Sequence, residues 1–162
     1  MILLNFTTKI KGTSQVEGHK EWIPVSSVSF NVARDISTSA DGAADRDPSR
    51  PRFSDITLTK PTDISSADLF MQAVCGKSLG KAELHFLQTG GVDKPDQIYL
   101  KVELDAPIIT MYRTGADATA HPTETIEIHY SKISYQYDMF DGATVKTGTA
   151  KKWDRVANKE WK

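Results

Sequence analysis

The chain has 162 residues, a formal net charge of −1, 39% hydrophobic residues and 25% charged residues. This suits one domain over residues 1–162 with a buried core, and it excludes a disordered tail. The near-neutral charge, with both signs scattered, removes the electrostatic case for a nucleic acid or anionic membrane as partner. Cys75 is the lone cysteine, so no internal disulfide forms and an oxidising compartment is not implied. No run reaches the roughly 18 apolar residues of a membrane span, which argues against membrane insertion. Met1-Ile2-Leu3-Leu4 is too short for a signal h-region and follows no basic stretch. These features fit a cytoplasmic protein.

In chain order, most segments predict strands: residues 3–10, 23–33, 53–59, 82–88, 97–109 and 125–140. Gly90-Gly91, Lys94-Pro95-Asp96 and Asp141-Gly142 supply turn chemistry between them. Asp141-Gly142 followed by Val145 reads as a hairpin turn returning the chain toward Trp153. Within 23–33, Val28, Phe30 and Val32 fall on one face and Ser27, Ser29 and Asn31 on the other, so the first face suits a core and the second a wetted surface.

Residues 35–52 differ from their surroundings. They lack apolar periodicity, and their length exceeds the ~12–15 residues beyond which structureless loops are uncommon. Asp41, Asp45 and Asp47 interleave there with Arg46, Arg50 and Arg52, a charge pattern suited to a polar contact outside the domain.

One helix is predicted, over 66–75. Ser65 with Asp68 three residues later resembles a capping box. Leu69, Phe70, Ala73 and Val74 make one apolar face, and Gly76 sits where a left-handed cap ends a helix. Cys75 reads as a packing residue, because the dipole at a helix C-terminus disfavours a thiolate.

In the last predicted strand, Ile126, Ile128 and Tyr130 alternate with Glu127 and His129. The phase then slips by one residue before Ile133, Tyr135 and Tyr137, which predicts a β-bulge near Ser131 and Lys132. Many strands and one short helix predict a mainly β fold: a small β-barrel or a sandwich of two sheets, with one flanking helix and an extended loop.

Catalytic chemistry is hard to assemble from these residues. His19, His85, His121 and His129 show no local metal-ligand spacing. His85 and His129 lie on different predicted strands and could meet across a sheet, but a partly buried or surface histidine is the better reading, and no metal is predicted. Ser14, Ser27 and Ser54 lack the Gly-x-Ser-x-Gly elbow. Glu124 and Glu127 point to opposite faces of their strand, so they are not a carboxylate pair. Glu124, directly after Pro122-Thr123, reads as a partner for backbone or a basic neighbour. No glycine-rich phosphate loop is present. The chain therefore predicts neither an enzyme nor a cofactor. His19 and Trp22 read as a lock holding a loop to the following strand.

The order of several short blocks carries a resemblance. Gly12 followed by His19, Trp22 and Ile23 is one block, and Leu58-Thr59-Lys60-Pro61-Thr62-Asp63 followed by Ser66, Leu69 and Gly76-Lys77 is another. Pro122-Thr123-Glu124, then the alternating residues to Tyr130-Ser131-Lys132-Ile133, is a third, and Trp153-Asp154 with Asn158-Lys159-Glu160-Trp161 closes the set. The ordered set resembles the hemolysin-coregulated protein (Hcp) family of type VI secretion, with one departure at Thr13, where many members carry an acidic residue.

The resemblance implies a small β-barrel with one flanking helix that forms homohexameric rings. The rings stack into a tube tipped by a spike protein and surrounded by a contractile sheath. The tube is ejected into a target cell without a cleaved leader, with small secreted effectors in its lumen. The resemblance places Ser27, Ser29 and Asn31 toward the lumen and 35–52 against the neighbouring ring. It gives His19, Trp22, Pro122, Thr123 and Glu124 structural roles. It also implies that no fused toxin domain follows the family's end motif. Two other classes compete: a monomeric β-sandwich module binding a sugar or lipid, and a small hydrolase. A module would be favoured by an aromatic platform, whereas Trp22, Trp153 and Trp161 sit at junctions and near the C-terminus.

Overall fold

The computed structural model describes residues 1–38, 46–90, 95–141 and 144–161. The chain runs through β1 (Ile2–Phe6), β2 (Ile23–Val25), β3 (Ser27–Ser29), β4 (Val32–Ala33), β5 (Ile36–Thr38), β6 (Arg46–Pro48), β7 (Arg52–Phe53) and β8 (Ile56–Pro61). It continues through α1 (Ser66–Cys75), β9 (Lys81–Gln88), β10 (Gln97–Asp105), β11 (Ile108–Asp117) and β12 (Ala120–His129). It ends with β13 (Lys132–Tyr137), β14 (Met139–Asp141), β15 (Thr144–Lys146), β16 (Lys151–Asp154) and β17 (Lys159–Glu160).

Two antiparallel sheets carry the fold. One has seven strands in the order β17-β16-β13-β10-β9-β1-β2, the other four in the order β11-β12-β8-β3. Period-2 alternation turns one face of each inward. Leu4, Phe6, Leu84, Val102, Leu104 and Ile133 of the first sheet meet Ile56, Leu58, Ile109, Ile126 and Ile128 of the second in one core. Neither sheet closes on itself, so of the two architectures the sequence left open the sandwich is the one observed, with one helix beside it.

The predicted strands differ from the observed ones where the chain changes sheets. At Ser26 it passes from β2 to β3, so the predicted strand 23–33 becomes three short ones. At Ala106, which has a φ of 50°, it turns from β10 into β11, dividing the predicted strand 97–109. The phase slip near Ser131 is a third crossing and not a bulge. β12 ends at His129 in the four-stranded sheet and β13 begins at Lys132 in the seven-stranded one. Tyr130 is buried at this corner, its hydroxyl donating to the Ser54 carbonyl at 3.2 Å and its own carbonyl accepting from Arg155 Nη1 at 2.8 Å.

The helix has the predicted limits, and Gly76 adopts the left-handed cap at φ 62° with its N–H donating to the Gln72 carbonyl at 3.0 Å. Its N-terminus is built differently. The Ser65 side chain makes no cap bond; Asp63 Oδ1 accepts from the Ser65 N–H at 2.9 Å, and Ser66 Oγ accepts from the Asp63 N–H at 2.9 Å. Of the predicted apolar face, Leu69 is fully buried and Ala73 packs on the core, while Phe70 and Val74 are exposed. Phe70 packs edge-on against Tyr112 at 5.8 Å. Cys75 is also exposed, contrary to the packing role read from the sequence.

Residues 35–52 contain structure too. β5 pairs with β6 (Ile36 opposite Pro48) and β4 with β7 (Val32 opposite Phe53), making a narrow two-stranded arm. A two-stranded ribbon has little core of its own and is marginal in isolation.

Candidate functional site

The outer face of the four-stranded sheet follows from alternation on β8. Ile56, Leu58 and Lys60 point inward, so Thr57 and Thr59 point outward. Antiparallel register then sets Ser27 opposite Thr59 and Ser29 opposite Thr57 on one side, and Thr125 and Glu127 opposite the same two residues on the other. Ser27 Oγ lies 2.5 Å from Thr59 Oγ1. The result is a row of small hydroxyls on β3, β8 and β12, continued by Glu127 on β12 and by Met111 and Arg113 on β11. Ser29, Phe30, Asn31, Ser54 and Thr57 line an open depression of about 340 Å³ there.

Ser27, Ser29 and Asn31 are exposed as the alternation predicted, although Asn31 lies just beyond β3, its N–H donating to Ser54 Oγ at 2.9 Å. On the opposite face Val28 and Phe30 pack on the core, but Val32 is exposed because the chain has already left the sheet for the arm. Sequence reading missed Thr57, Thr59 and Thr125, whose signal was the same alternation on neighbouring strands. At one end of this face His129 Nδ1 lies 2.8 Å from Asp55 Oδ1, and Thr110 Oγ1 donates to Asp55 Oδ2 at 3.1 Å.

Behind this face sits a buried charge cluster. Lys60 Nζ donates to Glu124 Oε2 at 3.0 Å, Asp63 Oδ1 at 2.9 Å and the Pro61 carbonyl at 2.8 Å. Tyr112 donates to the other Glu124 oxygen at 2.8 Å. Burial raises the Asp63 carboxyl, but hydrogen bonds from Ser65 and Lys60 outweigh it and hold the group below its ordinary value. Burial and the Glu124 bond push the Tyr112 hydroxyl up to about 12. The basic partner expected for Glu124 is thus Lys60. Next to it, the Pro122 carbonyl accepts from the Thr62 N–H at 3.0 Å, and Thr123 pairs with Pro61. These bonds tie the segment leading into α1 to β12.

Two of the apolar surfaces left uncovered among the described residues lie at opposite ends of β8. Beside its C-terminal end, the outer ridge of α1 exposes Phe70, Met71 and Val74, with Ile64 just ahead of the helix. Toward its N-terminal end the seven-stranded sheet outruns the smaller one. There Tyr135 and Tyr137 continue the inward-facing row of Ile133 into solvent. Phe30 packs at 6.5 Å from Tyr135, and Tyr99 bridges Phe86 and Tyr137 at 6.2 and 6.3 Å.

The arm carries the expected charges only in part. Arg50 is exposed, and Arg52 Nη2 is 2.9 Å from Asp35 Oδ1 within the same chain. Asp41 and Asp45 lie outside the described residues, as do the side chains of Arg46 and Asp47. His85 and His129 are on different sheets and do not meet; the partner of His85 is His19, at 2.8 Å. Among the described residues no group of three or more His, Cys, Asp or Glu could hold a metal ion, and no helix is long and apolar enough to cross a membrane.

No curated protein sequence matches the chain. Among solved structures, "Structure of a type six secretion system protein" is similar with a TM-score of 0.88 and 23% identity, over 99% of this chain and 98% of the other. Hcp1 from Salmonella typhimurium superposes with a TM-score of 0.78 at 21% identity, over 99% and 97%. Hcp2 from the same organism gives 0.69 at 22% identity, over 99% of each chain. At these identities the likeness shows the fold. The family model "Type VI secretion system effector, Hcp" matches residues 4–137. The chain belongs to the Hcp family, the tube proteins of type VI secretion.

Proposed function

We propose that this chain is a non-enzymatic tube subunit that closes into a hexameric ring and stacks through its arm. Its hydroxyl face lines the lumen. The observation that carries the reading is the division of the surface. A ring built from one kind of subunit uses a heterologous contact, which needs two unlike patches on each copy. The α1 ridge and the aromatic sheet end are two such patches, apolar and separate. Large uncovered apolar surfaces mark contact sites. The hydroxyl face between them has the opposite character. Its exposed hydroxyls stay hydrated, so Ser27, Ser29 and Asn31 suit contact with small effectors moving along a channel.

The arm extends the reading to stacking. Among the described residues few bonds hold it to its own subunit, and in this reading the ordering entropy of its residues, about 1–2 kcal/mol each, is offset by contacts made with the neighbouring ring. In this reading Asp41, Asp45, Arg46, Asp47, Arg50 and Arg52 meet the neighbouring ring. The stacked tube meets the spike at its tip and the contractile sheath around it, and it leaves the cell when the sheath contracts. Negative-stain electron microscopy of the purified protein tests the ring: six-fold annular particles with an open centre are expected, and solid particles without rotational symmetry would overturn it.

A further inference from the structure

Residues 11–22 form a compact segment on the outer face of the seven-stranded sheet. It is closed by its own backbone: Gly12 N–H donates to the Glu21 carbonyl at 2.8 Å, Ser14 N–H to the Trp22 carbonyl at 3.1 Å, and Glu21 N–H to the Ser14 carbonyl at 2.9 Å. A side chain at position 12 would place its Cβ 2.1 Å from the Trp22 oxygen, so the fold of the segment requires glycine. Its side-chain attachment to the sheet runs through His19, which is 7% exposed. His19 Nε2 lies 2.8 Å from Nδ1 of His85 on β9, and the Trp22 ring packs on both imidazoles at 4.7 and 4.6 Å.

A nitrogen–nitrogen contact of this length holds one proton. One ring donates and the other accepts through its lone pair, an arrangement that survives with one imidazole charged. With both charged, two N–H groups and two positive charges point at each other. We propose that the His19–His85 pair is an acid-operated latch that holds segment 11–22 folded on the sheet and lets the segment open when both imidazoles are protonated.

The surrounding charges favour this behaviour. Lys101 stands opposite His85 on β10 and adds a third cation. Glu83 lies two residues back on the same face of β9, opposite Glu103. On the segment, Glu17 offers His19 Nδ1 its carbonyl at 3.4 Å, Lys20 is exposed, and the Glu21 carboxylate is engaged by Lys9 and Lys11. Neither ring is ion-paired with a carboxylate among the described residues. Burial, His19 and Lys101 together push His85 down to about 4. The released imidazole takes its proton near its ordinary value of 6.5, so the latch weakens as pH falls from 6.5 toward about 4. Leu3, which is paired with His85 in the sheet, is buried outside the main core cluster.

Hydrogen exchange on the full-length protein tests the latch, from neutral pH down to about 4, with rates corrected for intrinsic chemistry. The amides of Ser14, Glu21 and Trp22 should lose protection by about tenfold or more, while those of β9 and β10 keep theirs. His85→Asn leaves a neutral hydrogen-bonding group at the Nδ1 position and should remove the pH dependence. Unchanged protection in the wild type, an equal loss in His85→Asn, or simultaneous loss across β9 and β10 would each overturn the proposal. If His85→Asn does not fold, NMR titration of the wild-type histidines decides. The second protonation should coincide with the loss of protection at Ser14, Glu21 and Trp22, and a step separated from that loss overturns the latch.

Discussion

Lys60 Nζ sits 3.0 Å from Glu124 Oε2, with each residue only 1% exposed. Each charge is sheltered from water and stabilised chiefly by the other and by Asp63, Tyr112 and the Pro61 carbonyl. A buried pair of this kind adds little net stability against an apolar replacement, but removing one partner strands the other. Lys60→Met or Glu124→Leu alone should therefore cost about 3–5 kcal/mol in chemical denaturation. The double variant should cost less than the sum of the two. Additive losses would show that the pair is not energetically coupled.

The helix gives a second contrast. Leu69→Ala should destabilise the fold by about 2–5 kcal/mol, because Leu69 is fully buried. Phe70 is 50% exposed, so Phe70→Ala should cost far less than a core aromatic, about 1 kcal/mol. In the ring account Phe70→Ala should instead weaken assembly, read as dissociation to smaller species on dilution. Intact assembly on dilution would take the α1 ridge out of the contact.

Tyr112 sets an alkaline limit. Its hydroxyl is raised to about 12 from an ordinary 10.0, so its stabilising effect is complete below pH 10 and lost as pH rises toward 12. Denaturation midpoints should fall over that window in the wild type. In Tyr112→Phe the fall should be shallower, at the cost of a lower plateau near neutrality. A wild-type profile superimposable on that of Tyr112→Phe would contradict the assignment.

The arm should be dispensable for the subunit. Replacing residues 35–52 by a short glycine-containing turn should leave the thermal midpoint and the ring unchanged while weakening stacking and abolishing secretion. Because the arm's charges are mixed, and Asp35, Arg50 and Arg52 are exposed, stacking of the wild type should also weaken with added salt. Sedimentation of the two proteins side by side checks this. Loss of the ring itself in the shortened protein would move the arm to the lateral contact.

The limits of sequence reading follow from physics that acts between strands. The alternation at Ile126, Ile128 and Tyr130 predicted a half-buried strand, and Gly76 predicted the helix end, because both are local signals. The phase slip at Ser131 was visible, but alternation reports only a change of face. A bulge and a move to another sheet produce the same pattern, and only pairing partners separate them. The exposure of Phe70 was unreadable for a related reason. Helical spacing defines an apolar stripe, and how much of that stripe the sandwich covers depends on where β11 ends. The His19–His85 contact joins residues 66 apart in sequence and carried no local signal. In the hydroxyl face, Ser27 and Ser29 were legible from one strand, whereas Thr57, Thr59 and Thr125 joined them only through register.

In the proposed tube this subunit assembles into six-membered rings, and sedimentation velocity of the wild type over a range of concentrations reads that assembly. The account predicts a discrete species of six times the 17.9 kDa chain mass, with stacked multiples of it at higher concentration. A single species at the mass of one chain throughout the range would contradict it.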